Sequence, residues 1–373
     1  MIPLALRSLF HNRVRAAATI TGVTFAVVLV ATQFAVFDGV QASASNIIDH
    51  SGADFWITAR GVPNLLAGVP LSERKLFQVL STSGVTGAEK YIIECASWRK
   101  TDGVDVDIQI IGFNPGSGLG GPWSLVEGDV ARLKEPDTVI IDRLYQAKLG
   151  ITHVGQSCEI HGHRARVIGF TAGIRTFTTA APVFTSFKNA HSYTSMLRSK
   201  TTFVLVKSTR RDTAALKREL NVRLPDVDVL TGGEFSARTR RYWIFRTGAG
   251  AVVLGAAILG LLVGTIVVSQ TIYAATLDYL TEYATLKAIG ARNGYLCRVL
   301  LTQASATALA GYAIGMVIVW GVVYCNRDGP IGLILSPTLA GVVFALTLIM
   351  CCIASLVAIR TVINLEPGLG CRR

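Results

Sequence analysis

Four long stretches without a charged residue limit what this chain can fold into. They are Ala16–Phe37, Thr247–Leu277, Val299–Asn326 and Gly329–Ile359. Each can cross a bilayer core of about 30 Å, which takes about 20 helical residues. The sequence therefore predicts a membrane protein with four helices in a one-plus-three order. A large domain follows the first helix. The predicted segments are helices over 16–37, 247–277, 296–326 and 329–359, the domain over 38–246, and a tail over 360–373.

Composition agrees with a membrane protein and argues against a nucleic-acid-binding one. Hydrophobic residues make up 51% of the 373, the mean hydropathy is +0.46 and the net charge is +12. Soluble domains are rarely so apolar. In a membrane protein, positive charge reflects topology or contact with anionic lipids. We therefore expect membrane lipids as partners and no nucleic acid.

Positive residues indicate which segments lie in the cytoplasm, because positive flanks stay inside. They place both termini and the segment between the second and third helices inside, and the large domain outside. The residues are Arg7, Arg13, Arg15, Lys287, Arg292, Arg298, Arg360, Arg372 and Arg373. Residues 1–15 are also predicted to form an amphipathic helix along the inner leaflet, or alternatively a frayed positive flank.

The first helix needs to be distinguished from a cleaved signal peptide. Ala42-Ser43-Ala44 resembles a small-residue cleavage site. However, the apolar run before it is longer than the usual signal-peptide core of about 7–15 residues. We therefore predict an uncleaved first helix.

The large domain reads as mixed α/β. Alternating or apolar runs between turn signals predict strands, and helical patterns lie between them. The predicted strands are Val104–Gly112, Thr138–Ile141, Ser157–Ile168 and Thr202–Val206, and the predicted helices Ser72–Ser81, Arg143–Leu149 and Asp212–Arg223. The domain could have two lobes, but the sequence does not place their boundary. Cys95 and Cys158 could form a disulfide or remain two free thiols.

The predicted spans lack the residues that coupled transport needs. None of the four apolar stretches contains Asp, Glu, Lys, Arg or His, which argues against a proton- or ion-coupled transporter. Polar residues in the spans, which we expect to form helix–helix hydrogen bonds rather than a substrate path, are Thr32, Gln33, Gln270 and Gln303.

The chain also lacks familiar enzyme motifs. It has no P-loop motif, no G-x-S-x-G and no H-E-x-x-H. His161 and His163 would share one face of a strand, but no third metal ligand is evident. We therefore expect no enzyme and no metal site, and a domain that binds or transmits force.

The segment 278–292, between the second and third membrane helices, predicts a short cytoplasmic helix that ends at Gly290. Its two faces both carry apolar residues, so we expect membrane helices on one side and a cytoplasmic protein on the other. The alternative is an interfacial helix without a partner. The candidate partner-binding residues are Glu282, Tyr283, Ala284, Thr285, Leu286, Lys287, Ala288, Ile289 and Gly290.

This segment, E-Y-A-T-L-K-A-I-G, resembles the coupling-helix signature of the MacB/FtsX/LolC–LolE superfamily of ABC transporter permeases. The one-plus-three layout is similar to the superfamily's architecture. Asn364-Leu365-Glu366-Pro367 resembles the motif that closes these permeases. The DevC branch is the most similar, through Ile111–Pro115, Val139–Arg143, and Glu234-Phe with Tyr242-Trp243.

The resemblance implies a mechanism in which no substrate moves through the spans. A separate cytoplasmic ABC ATPase would bind ATP and Mg²⁺, and this chain would carry no cofactor. Coupling helices would pass the motion to paired permeases, most simply a homodimer, in the bacterial inner membrane. This mechanotransmission would drive an amphipathic substrate, such as a glycolipid, haem-like compound or drug. A periplasmic adaptor and an outer-membrane channel could complete the exporter.

Other functions remain open from the sequence. One alternative is a permease that extracts lipoproteins or lipids and passes them to a soluble carrier. Another is an FtsX-like regulator of a cell-wall hydrolase. A membrane-anchored enzyme is a more distant alternative.

Overall fold

The computed structural model describes residues 13–178, 180–209, 212–278, 289, 293–327, 329 and 332–363. These residues form two compact units. The membrane unit comprises residues up to 39, 252–327 and from 333 onward, and the α/β unit comprises 40–251 and 328–332. Four helices are long and apolar enough to cross a membrane, and the α/β unit is inserted between the first two. The predicted fold class is thereby confirmed.

The described helices and strands follow the chain in this order. The helices are α1 (Arg13–Asp49), α2 (Arg74–Leu80), α3 (Gln146–Leu149), α4 (Phe187–Tyr193), α5 (Thr213–Arg223), α6 (Gly232–Phe245), α7 (Gly248–Asp278), α8 (Asn293–Cys325) and α9 (Pro337–Ile363). The strands are β1 (Phe55–Ala59), β2 (Leu71–Ser72), β3 (Val85–Arg99), β4 (Asp105–Phe113), β5 (Leu125–Glu127), β6 (Thr138–Asp142), β7 (Ser157–Ile160), β8 (His163–Thr171), β9 (Ala181–Ser186), β10 (Lys200–Thr201), β11 (Phe203–Ser208) and β12 (Val227–Thr231).

Ten of the described strands form one sheet, in the order β12-β1-β11-β3-β4-β9-β6-β8-β5, with β7 beside β3 and β8. Strand β3 joins its two halves. Residues up to Tyr91 pair with β11. From Ile92 onward the strand pairs with β4. The change of partner lies between Tyr91 and Ile92, and residues 40–251 form one compact unit rather than two separate lobes.

Successive side chains along a strand point to opposite faces of the sheet, so the sheet has a hydrophobic core on each face. On one face, a single cluster crosses both halves and includes Trp56, Tyr91 and Ile111. On the other face, each half has its own cluster, one around Phe55 and one around Trp98. Because both faces are covered, β6 and β9 are buried at every position rather than alternating.

Helix α1 continues twelve residues beyond the apolar stretch that predicted it. Its last residues belong to the α/β unit, where Ile47 and Ile48 are buried in the cluster around Trp56. The helix ends before Gly52, whose φ of +69° favours glycine. Ala42, Ser43 and Ala44 lie within this helix. A peptidase that needs an extended cleavage site would not find one there.

Helix α9 begins at Pro337, later than the apolar stretch that starts at Gly329. The Leu339 amide donates to Ser336 Oγ at 3.0 Å, so Ser336 caps the helix. Pro337 then occupies the first helical position, where its missing N–H costs little.

Candidate functional site

The structure leaves the predicted coupling helix untested. Residues 282–288 and 290 lie outside the described residues. Ile289 is described as part of a turn and is 80% exposed. The predicted amphipathic helix over 1–15 and the closing motif at 364–367 also lie outside them, apart from residues 13–15, which begin α1. The candidate site is therefore described through two sets of residues that the structure does describe. One is the contacts among the membrane helices, and the other is the attachment of the end of α1 within the α/β unit.

In the membrane unit, glycines bring α1 close to two other helices. A Cβ atom on Gly311 of α8 would lie 2.6 Å from Val23 Cγ1, and one on Gly315 would lie 2.7 Å from Val27 Cγ1. On α7, a Cβ atom on Gly264 would lie 2.9 Å from Val30 Cγ2. Real Cβ atoms do not approach so closely, so only glycine permits this packing. Helix α1 is thus held between α7 and α8.

Several threonine hydroxyl groups of the membrane helices form hydrogen bonds within their own helix. The hydroxyl groups of Thr265, Thr271, Thr276, Thr307 and Thr347 each donate to the carbonyl four residues earlier. Such bonds complete the helices rather than line a path for a polar substrate.

Two hydrogen bonds between membrane helices come from residues other than the four that the sequence suggested. Thr24 Oγ1 donates to the Gly311 carbonyl at 3.4 Å. The Tyr312 hydroxyl donates to the Ala340 carbonyl at 3.0 Å. Of the four suggested residues, Gln33 lies against Gly260, Gln270 is exposed and the Thr32 hydroxyl has no hydrogen-bond partner among the described residues. The expectation was therefore wrong for Thr32.

The end of α1 is attached to α6 by a polar cluster around Asp49. Ser45 Oγ donates to Asp49 Oδ2 at 2.7 Å, and the Ser236 hydroxyl donates to Asp49 Oδ1. Arg240 Nη1 donates to Ser45 Oγ at 3.1 Å and lies 3.7 Å from Asp49 Oδ2. Charge-assisted bonds of this kind are stronger than neutral ones when they are partly buried. We call these four residues the Asp49 cluster.

Helix α6 leads almost directly into membrane helix α7. A capping box formed by Thr231 and Glu234 starts α6. Only Arg246 and Thr247 separate its last residue from the start of α7. Thr247 Oγ1 accepts from the Gly250 amide at 3.3 Å, so it caps the new helix. Helices α1 and α7 therefore each begin in one unit and end in the other.

A loop between β8 and β9 forms a further attachment within the α/β unit. Asn46 of α1 donates from Nδ2 to the Arg175 carbonyl at 3.2 Å. Arg175 Nε donates to the Gly329 carbonyl at 3.1 Å. Gly329 precedes α9, so one arginine contacts two segments that lead into membrane helices.

Asp142 supports this loop. Its side chain is fully buried. Oδ2 accepts from Thr171 Oγ1 and from the Ile174 amide, both at 2.8 Å. Oδ1 accepts from the amides of Leu144 at 3.0 Å and Gly173 at 3.3 Å. Four donors compensate the lost hydration of the carboxylate and fix the backbone immediately before Arg175.

The histidine pair does not form the strand geometry that would suit a metal. His161 has a φ of 50° and lies in the turn between β7 and β8. His161 and His163 are therefore not on one strand, because the predicted strand over 157–168 is a hairpin. Among the described residues, no group of three or more His, Cys, Asp or Glu side chains could hold a metal ion.

Cys95 and Cys158 are both free thiols. Burial raises the pKa of the Cys158 thiol to about 12. Its Sγ donates to the Ala165 carbonyl at 3.4 Å. Of the two alternatives for this pair, the structure therefore contains the free thiols.

Two family models match the chain. A model described as MacB-like periplasmic core domain matches residues 16–222. A second, described as FtsX-like permease C-terminal, matches residues 249–367. The first alone covers more than half of the 373 residues. No curated protein matches the sequence.

Three solved structures of protein domains are also similar to the chain. The periplasmic region of MacB from Actinobacillus actinomycetemcomitans is 11% identical, with 49% of this chain and 91% of that chain covered and a TM-score of 0.39. The extracellular domain of the noncanonic ABC-type transporter YknZ from Gram-positive bacteria is 15% identical, with 48% and 99% covered and a TM-score of 0.35. A domain of a permease protein from Porphyromonas gingivalis is 13% identical, with 48% and 87% covered and a TM-score of 0.33.

Proposed function

Because this chain belongs to the MacB/FtsX superfamily of ABC transporter permeases, we propose that it is the permease subunit of an exporter that works by mechanotransmission. Its membrane helices transmit motion to the α/β domain and do not conduct the substrate. The substrate is an amphipathic molecule that already lies on the outer side of the inner membrane.

The observation that supports this proposal most directly is the continuity of α1. One helix of 37 residues begins in the membrane unit and ends in the core of the α/β unit. The Asp49 cluster attaches its end to α6, which is followed by α7 after two residues. A helix that is hydrogen-bonded along its whole length passes a displacement from one end to the other.

The packing of the membrane unit supports the same proposal. Its described helices approach through glycines, and their threonine hydroxyls are satisfied within each helix. No Asp, Glu, Lys, Arg or His lies in the four apolar stretches. An ion-coupled pathway would need such groups at depth.

We propose that energy comes from a separate ABC ATPase subunit, which binds ATP and Mg²⁺, since these 373 residues contain no P-loop motif. The ATPase docks on residues 282–290 from the cytoplasm, where both termini of this chain also lie. A second copy of this chain completes the permease. A periplasmic adaptor and an outer-membrane channel continue the route in a double-membrane bacterium.

Replacing Glu282 and Leu286 with arginine tests the docking. The permease and the ABC ATPase encoded beside it are reconstituted in liposomes, and ATP hydrolysis is measured with and without permease. We expect Glu282→Arg/Leu286→Arg to abolish the stimulation, because both changes fall on the predicted contact surface. Arginine at the exposed Val104 and Val222, which belong to the α/β unit, is the matched control. Stimulation that survives in the first variant contradicts the docking.

A further inference from the structure

A pocket of about 330 Å³ lies where two parallel strands of the α/β unit end. Strands β4 and β9 run parallel, with Phe113 opposite Ser186 at their carboxyl ends. The pocket is lined by residues that immediately follow these ends, including Pro115, Phe187 and Lys188. Its volume falls in the range of about 300–1,000 Å³ that is usual for small-molecule sites. The carboxyl ends of parallel strands are also a common location for ligands.

The lining combines an apolar surface with positive charge. Phe113 is buried, and Pro115 and Phe187 are half-buried beside it. Lys134 and Lys188 are exposed. Neither forms an ion pair within the part of the chain that the structure describes. The pocket therefore offers two ammonium groups that are available to a ligand.

The remaining charges of the lining are already engaged. Lys90 Nζ lies 3.1 Å from Glu73 Oε1 and 4.3 Å from the centre of the Phe187 ring. Glu89 Oε1 accepts from Asn114 Nδ2 at 3.1 Å. With three lysines and one glutamate, the lining carries net positive charge. A ligand that complements it needs an acidic group and an apolar part.

We propose that this pocket binds an anionic amphiphile. Its carboxylate or phosphate group contacts Lys134 and Lys188, and its apolar part contacts Phe187 and Pro115. This inference rests on the proposed function, because it identifies the exported amphipathic substrate as an acidic one. Lysine binds a carboxylate and a phosphate alike, as a point charge. The pocket therefore indicates that the ligand is negatively charged, and the experiment below distinguishes a carboxylate from a phosphate.

Binding of short amphiphiles to the full chain tests the proposal. The chain is placed in nanodiscs of uncharged phosphatidylcholine, and octanoate and octyl phosphate are titrated by calorimetry, with empty nanodiscs subtracted. We expect both to bind, and octyltrimethylammonium and octyl glucoside not to. The ratio of the octanoate and octyl phosphate affinities distinguishes a carboxylate from a phosphate ligand.

Two charge-removing variants localise the binding. Lys134→Gln/Lys188→Gln should bind the acidic amphiphiles about tenfold more weakly, which corresponds to about 1.4 kcal/mol. Lys148→Gln/Arg218→Gln removes two exposed positive charges that do not line the pocket, and should bind normally. Equal weakening in both variants would mean nonspecific attraction to a basic protein and would overturn the site.

Further ligands test whether the pocket recognises the apolar part of an amphiphile, and whether its ligand is an amphiphile rather than a peptide. Acetate and inorganic phosphate should bind more weakly than octanoate and octyl phosphate, and equal affinity overturns the amphiphile. A glutamate-rich hexapeptide that binds more tightly than octyl phosphate also overturns it, because the pocket would then serve an acidic protein segment. Stimulation of the ATPase by the control variant Lys148→Gln/Arg218→Gln should stay normal. Loss of ATPase stimulation in Glu282→Arg/Leu286→Arg tests the docking of the ATPase and not the binding of a ligand to the pocket.

Discussion

At the scale of single residues, Asp142 illustrates what the sequence could and could not indicate. It lies in the motif Val139–Arg143, which contributed to the resemblance. The sequence did not indicate its burial, because two of its backbone donors, Gly173 and Ile174, lie about thirty residues later. A hydrogen-bond network of this kind depends on tertiary structure, and no local spacing predicts it.

Replacing Asp142 should destabilise the loop that carries Arg175. Asp142→Ala leaves four donors without an acceptor in a buried position, which we expect to cost about 3 kcal/mol. Thr171→Val removes only one donor of the same network and should cost less. Thermal unfolding of the two variants in detergent, followed by circular dichroism, measures both. Equal effects would show that the carboxylate is not the centre of the network.

Cys158 should be an unreactive thiol in the folded protein. Burial raises its pKa to about 12, so at pH 8 it stays protonated, and the thiolate is the reactive form. We expect N-ethylmaleimide to label it slowly until urea is added, as followed by mass spectrometry. A cysteine introduced at Val222, which is 83% exposed, is the fast control. Rapid labelling of folded Cys158 would contradict the raised pKa that its partial burial produces.

At the scale of elements, the four membrane helices were predicted well, whereas α4, α6 and several strands were not predicted. A span without charges about 20 residues long has few alternatives to a membrane helix. The strands that were missed are β1, β2, β3, β5, β9, β10 and β12. Strand β9 contains Pro182, and β3 contains Gly87 and four charged residues, so neither resembles an ordinary strand. Their pairing with distant strands determines their conformation, and a local pattern does not contain that information.

The glycine contacts of α8 should be essential to the membrane unit. Gly311→Leu places side-chain atoms where Val23 already lies, and we expect it to lower the melting temperature and the yield of folded protein. Gly321→Leu is the matched control on the same helix, because no atom lies within 4 Å of a Cβ at Gly321. Equal melting temperatures for the two variants would show that the close contact between α8 and α1 is not needed for stability.

Making α1 more flexible should allow ATP hydrolysis to continue while it reduces the motion of the α/β domain. Gln41→Gly/Ala42→Gly weakens the helix between its two units by roughly 1 kcal/mol per glycine, whereas Gln41→Ala retains a stiff helix. Spin labels at Val222 of both copies, in a background without native cysteines, report the distance between the domains. We expect ATP and vanadate to change that distance in the alanine variant and much less in the glycine variant. An equal change in both would argue against α1 as the transmitting element.

At the scale of the whole molecule, the sequence predicted the superfamily correctly, and the family models confirm it. The DevC branch, the substrate and the coupling helix remain predictions. The layout of spans and one short motif sufficed for the superfamily because both are local in sequence. No local motif identifies the substrate, because the lining of the pocket beyond β4 and β9 combines residues from distant segments of the chain.

The permease should contain two copies of this chain. Much of the apolar surface of α7 is exposed in the single chain, including Leu259, Leu262 and Ile266. Lipid or a second copy must cover such a surface. We expect native mass spectrometry of the complex to detect two permease chains with two ATPase subunits. A complex with one permease chain would contradict the proposed exporter.

The shared strand β3 also determines how relatives of this protein can be recombined. Its second half is paired to β4, which follows directly in the chain, but its first half is paired to β11, which comes much later. A crossover inside Val85–Arg99 would therefore place the first half of β3 beside a β11 strand from the other parent. Chimeras that exchange the α/β domain as a single block, with borders near Val40 and Ala251, retain every strand pairing. Substrate preference should therefore be inherited by whole-domain exchange, and half-domain exchange should yield chains that do not fold.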